Sequence, residues 1–229
     1  MTQHQKIVPL SVLKEGITLT KTNFLVYLPL LALAMLCIYG ANEALMSYFL
    51  QQNPEATTLD LITKSSAIIG LLLSPLEVGI MLMGLSAARG EKIKVSDIRY
   101  ILPYSAKIII LAMLTMLLVQ VGFMLLILPG LFLMVVLSMA PMLMCDKKQS
   151  MFVALKTSAQ TLSKQWFMIF LVYIWLIVAI FLSFYTMGVA LILTLPFYVN
   201  VKGIMYYRLF DSETVDTPTE STNNDEFEA

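Results

Sequence analysis

The chain has 229 residues, of which 59% are hydrophobic and 13% charged, against about 25% charged in soluble domains. A water-soluble fold of this size could not hide so much apolar surface, whereas lipid accepts it. The formal net charge of zero conceals an asymmetry: residues 1–210 carry all 15 basic and eight acidic side chains, and residues 211–229 carry seven acids and no base.

In chain order, the first 22 residues lack the continuous apolar core of a signal peptide, so the first apolar run is expected to be a retained helix. A crossing needs roughly 20 residues. Run one is 24–49 and run two about 66–88. The stretch 104–145 is too long for one crossing and is divided at Pro129-Gly130, since such pairs punctuate helices. That gives run three, 104–128, and run four, 131–147; run four is short, and a re-entrant hairpin is its alternative. The stretch 166–209 is divided near Met187-Gly188 into runs five and six. The loop 50–65 has room for a short helix starting at Pro54. The acidic remainder, 211–229, rich in Thr, Ser and Asn, is expected to be a disordered tail.

Basic residues in short loops favour the cytoplasmic side. Of the 15 Lys and Arg residues, 14 fall before run one, between or at the ends of runs two and three, between four and five, or at the close of run six; Lys64 is the exception. That pattern requires an even number of crossings, with both termini in the cytoplasm. Phe24, Tyr27, Tyr100, Tyr104, Trp166, Tyr206 and Tyr207 mark the same interface.

Each odd-numbered run follows a similar amphipathic segment: Leu10, Leu13 and Ile17 with Lys14; Val95, Ile98 and Leu102 with Arg99; Phe152, Leu155, Ala159 and Leu162 with Lys156. An apolar stripe of this kind lies at the headgroup boundary while its cations face anionic lipid. The expected fold is therefore all-α and polytopic, with six transmembrane helices in three hairpins, each preceded by an amphipathic interfacial helix. Residues 1–210 form the membrane domain, with parallel pseudo-repeats at about 1–93, 94–149 and 150–210. Lys14, Arg99 and Lys156 are candidate lipid-headgroup contacts. They either orient the hairpins or recruit lipid or a cytoplasmic partner.

Ionisable groups at membrane depth are candidates for function by default. Glu77 lies 12 positions before Arg89, roughly 18 Å along a helix. Asn200 and Lys202, after Pro196, are possible partners. Glu77 would pair with one of them, stay protonated within the bundle, or serve a proton- or cation-coupled pathway. Ser66, Gly70 and Ser74, and Gly84 with Ala88, allow close helix packing. Cys37 and Cys145 sit at different depths and no disulfide is expected; His4 is the one histidine, so no metal or cofactor site is expected. Asp97 and Asp146 read as solvated loop charges, and no catalytic constellation is visible.

The segment Leu128-Pro129-Gly130-Leu131-Phe132-Leu133, with Ala140-Pro141, Asp146, Ala154-Leu155-Lys156 and Ser158, resembles the YciC-like family of uncharacterised bacterial inner-membrane proteins. More distantly it is similar to the membrane domain of some glycerophosphodiester phosphodiesterases. The resemblance implies a multi-pass inner-membrane protein of unassigned biochemical function and carries over no catalytic residue. About 19 residues follow run six, so no catalytic barrel and no phosphodiesterase activity are expected. The expected role is a non-enzymatic accessory in envelope or lipid organisation, with membrane lipids and a cytoplasmic or membrane protein as partners and no nucleic acid. The alternative is a small transporter or channel for a lipid-like or small substrate using Glu77.

Overall fold

The computed structural model describes residues 6–52, 54–55, 57–93, 101–186 and 189–211. Among them every regular element is helical. Five helical stretches are long and apolar enough to cross a membrane. Met187 and Gly188, Arg99 with Val95 and Ile98 of its amphipathic segment, and the tail after Asp211 lie outside the described residues; Leu102 of that segment is described and exposed.

Helix α1 (Pro9–Gln52) is one continuous helix of 44 residues. Its length, about 66 Å, is more than twice the hydrocarbon thickness. The separate interfacial helix expected ahead of run one is therefore an extension of the span itself. Nothing in 10–24 interrupts the backbone. Thr18, Thr20 and Thr22 return their hydroxyls to carbonyls four residues earlier, and Gly16 gives way to Val201 and Phe197. The face turned to the protein is Val12, Gly16 and Thr20, continued by Tyr27, Leu30 and Ala34. Leu10 and Ile17, from the expected stripe, point outward at 63% and 47% exposure.

Helix α2 (Thr58–Ala88) starts at an N-cap, where Thr57 Oγ1 accepts from the Asp60 amide and donates to the Asp60 carboxylate. In the loop with room for a short helix from Pro54, the described residues 54–55 form a turn, and α2 takes up 58–65. Ser65 donates to Asn42 Oδ1 at 2.9 Å, tying α2 to α1.

Helix α3 (Ser105–Leu125) ends three residues before the expected break. Leu126 is extended, and α4 (Ile127–Val136) carries Pro129 and Gly130 in its first turn. Proline is tolerated there because the first-turn amides lack intrahelical partners. The Cβ that Gly130 lacks would collide with the Phe123 ring, which locks the hairpin. Counting α5 (Ala140–Asp146), the stretch Ile127–Asp146 has 20 residues, a full crossing length. It is broken at 137–139. Pro141 is the cause, since it cannot donate and its ring clashes with the carbonyl four residues back.

Helix α6 (Met151–Ser163) is separate, as expected. Leu155 and Leu162 of its expected stripe bury in the protein core rather than in lipid, and Phe152 stays 75% exposed. Ser158 donates to the Val136 carbonyl at the α4 break. Helix α7 (Trp166–Tyr185) begins with Trp166 edge-on to Phe132, ring centres 6.0 Å apart, so it starts beside the middle of α4.

Helix α8 (Leu191–Tyr206) runs 16 residues, short of a standard crossing, and continues as a π-helical turn, Tyr207–Asp211. It packs against α1, α2 and α7, and Val199–Tyr206 is buried on every side. Lipid is as apolar as leucine, so close packing and polar bonds, rather than escape from water, fix such a helix. At the crossing of α2 and α8, a Cβ on Gly203 would meet the Gly84 backbone, and one on Gly84 would meet the Val199 carbonyl.

Candidate functional site

Complete burial of the Val199–Tyr206 half of α8 obliges its polar residues to find partners inside the protein. Asn200 finds them on α1: the Tyr27 hydroxyl donates to Asn200 Oδ1 at 2.8 Å, and Asn200 Nδ2 donates to Thr20 Oγ1 at 3.1 Å. Thr20 passes its own proton to the Gly16 carbonyl at 2.7 Å. The three side chains staple α8 to α1.

Lys202 uses a different device. Its Nζ lies 3.5 Å from the Ser138 carbonyl, in the break between α4 and α5. The Tyr173 and Tyr198 rings stand 5.2 and 5.7 Å from it, within cation–π range. The C-terminal end of α4 adds the negative pole of a helix dipole. The cation is held by carbonyl and aromatic faces, and among the described residues no carboxylate comes within ion-pair distance of it.

Neither Asn200 nor Lys202 makes a hydrogen bond or a close ion pair with Glu77 among the described residues, although the Glu77 charge still acts on Lys202 from beyond contact distance. Glu77 is exposed. It lines a groove of about 490 Å³ between α1, α2 and α8, whose walls are mostly apolar, among them Leu31, Ile69, Leu73 and Ile80. Asn42 and Ser66 also line it, and Glu77 is the one ionisable carboxylate or cation among the lining residues. Tyr198 belongs to both neighbourhoods: it lines the groove and presents its ring to Lys202.

The strongest polar arrangement is one that loop composition did not announce. Arg89, the C-cap of α2, bridges Asp146 at the end of α5 and Asp211 at the end of the π turn, with contacts of 2.6 to 2.9 Å. Lys147 reaches Asp211 at 2.6 Å, and the Tyr206 hydroxyl donates to Asp146 at 2.9 Å. The two carboxylates are nearly buried, with side-chain exposures of 12% and 8%. Burial works against the Arg89 charge, but hydrogen bonds and Coulombic attraction from both aspartates outweigh it and raise its pKa above the usual arginine value. The sign follows: the Arg89 contribution is fully present below the unfolded arginine pKa and is lost only as pH rises through the still higher folded value. Asp146, expected to be solvated, is a structural anchor, and Asp211 belongs to the folded body rather than the tail. Their partners lie 57 and 122 positions away, which no local signal announces.

Of the candidate headgroup contacts, Lys14 and Lys156 are exposed on α1 and α6. The Ile7 amide donates to Gln165 Oε1 at 2.7 Å, bringing the start of α1 to the corner between α6 and α7. Arg208 joins Ser11 and Glu15 of α1. Among the described residues no cluster of His, Cys, Asp and Glu has the arrangement of a metal site.

A family model described as an uncharacterised protein family, UPF0259, matches residues 50–201. That is well over half of the chain, and the chain belongs to this family. The matched stretch contains Glu77, Arg89, Asp146 and Asn200 and stops just short of Lys202. No solved structure matches the chain.

Proposed function

We propose that this member of the UPF0259 family is a non-enzymatic inner-membrane protein that organises lipid at the cytoplasmic face of the bilayer. The observation that carries the reading is a surface repeated on two elements. On α1, Leu10 and Ile17 are exposed beside exposed Lys14, with Val8 exposed just ahead of the helix; on α6, Phe152 and Val153 are exposed beside exposed Lys156. Apolar side chains flanking a lysine suit insertion at the acyl boundary with the cation among anionic headgroups. Arg99 completes the set in the sequence. The YciC-like resemblance agrees with this placement.

Supporting the topology, the Arg89 cluster gathers the ends of runs two, four and six at one point, as an even number of crossings with cytoplasmic termini demands. The Phe132–Trp166 contact favours the re-entrant form for the α3–α4 hairpin, because Trp166 is expected at the cytoplasmic interface. Both forms leave the termini on one side. An impermeant thiol reagent applied outside whole cells to a Leu128→Cys variant, with Cys37 and Cys145 replaced by Ser, separates them. The re-entrant form predicts no labelling, and strong labelling restores the full crossing.

Native mass spectrometry of the protein released from membranes tests the main reading. The wild type is expected to retain anionic phospholipid, and a variant with Lys14, Arg99 and Lys156 all changed to Gln is expected to lose most of it. Equal lipid retention by the two proteins would remove the proposal.

A further inference from the structure

We infer that the groove between α1, α2 and α8 is a binding site for a lipophilic organic cation, with Glu77 as its counter-charge and Tyr198 as its aromatic wall. A carboxylate at membrane depth is costly unless something neutralises it. Of the two intramembrane side chains nearest to it in kind, Asn200 is taken by Thr20 and Tyr27, and Lys202, whose charge reaches Glu77 only from beyond ion-pair distance, is held by the Ser138 carbonyl and two aromatic rings. Glu77 makes no ion pair among the described residues and faces a groove of about 490 Å³, within the size range of small-molecule sites. The walls are apolar apart from Asn42, Ser66, Tyr198 and Glu77 itself. An occupant must therefore bring an apolar body, and charge complementarity assigns it a positive centre. Tyr198 beside Glu77 adds a ring of the kind that attracts ammonium and phosphonium groups. Lys202 does not line the groove, so it does not occupy the place of the cation. A neutral acyl chain would fill the same volume and leave the carboxylate without a counter-charge in contact.

Tetraphenylphosphonium and tetraphenylborate, a lipophilic cation and an anion of nearly the same shape, isolate the charge from the shape. Equilibrium dialysis of the full chain in non-ionic detergent, against protein-free micelles, should show saturable binding of the phosphonium and none of the borate. Glu77→Gln should weaken the phosphonium at least about tenfold. Gly70 lines the groove and has nothing within 4 Å of where its Cβ would be, so Gly70→Phe should plug the groove and abolish binding without disturbing the fold. Phosphonium uptake no greater than that of empty micelles overturns the assignment. So does equal binding of the two ions, or a Glu77→Gln protein that binds as tightly as wild type; should Gly70→Phe not fold, the Glu77→Gln comparison still decides.

Discussion

Two sets of carboxylates in this protein have opposite fates. Asp146 and Asp211, at the helix ends, are nearly buried and fully engaged by Arg89, Lys147 and Tyr206. Glu77, placed by its sequence position near mid-span, is exposed to an apolar groove, with its expected partners turned to other tasks. The charges that composition marks as solvated hold the fold together, and the charge that looks like a structural partner is the one left open. Engagement within the chain, rather than depth alone, separates a structural carboxylate from a candidate for function.

The largest effect should come from breaking the engaged set. Asp146→Ala leaves Arg89 short of one anion and the Tyr206 hydroxyl without its acceptor, in a partly buried place. The expected loss is about 3 kcal/mol, read as a lower midpoint in detergent unfolding. A loss under about 0.5 kcal/mol, the range of ordinary surface changes, would mean that the cluster is ornamental.

Next is the contact that brings α2 and α8 together. Gly203→Ala places a methyl on the Gly84 backbone, where neither partner is a flexible side-chain end. Overpacking of this sort costs about 1–3 kcal/mol. A midpoint equal to wild type would show that the two helices stand further apart. Smaller again is Asn200→Leu, which strands the Tyr27 hydroxyl and removes the Thr20 contact. We expect a loss of about 1–2 kcal/mol, with most of it absent in a Tyr27→Phe background, where one stranded group no longer exists. Full additivity of the two changes would argue against the bond.

Much of the helical layout was legible, because apolar run length is a direct physical requirement of crossing lipid. Runs one, two, three and five correspond to α1, α2, α3 and α7. The boundaries were less so. Pro129-Gly130 reads as a turn, yet the chain breaks at Leu126 and uses the proline inside the first turn of α4; a proline signals a helix start as readily as a helix end. Conversely, Pro141 breaks the run at 137–139, and that break supplies the carbonyl that receives Lys202. Glu77, Asn200 and Lys202 were recognisable as unusual for their depth. Their pairing was not, because the rotation of α8 relative to α1 and α2 is set by the Gly84–Gly203 approach rather than by spacing along either helix. Arg89, Asp146 and Asp211 were unreadable for the same reason: each looks like an ordinary joint charge until the helix ends converge.

The contrast between the two kinds of carboxylate is tested most directly by thermal unfolding of Asp146→Asn and Glu77→Gln side by side in the same detergent. The midpoint is expected to fall by roughly 6 °C or more for the first and to stay within about 1 °C of wild type for the second. A Glu77→Gln protein that melts as early as Asp146→Asn would show that Glu77 is bound within the bundle after all and that the two kinds of carboxylate do not differ.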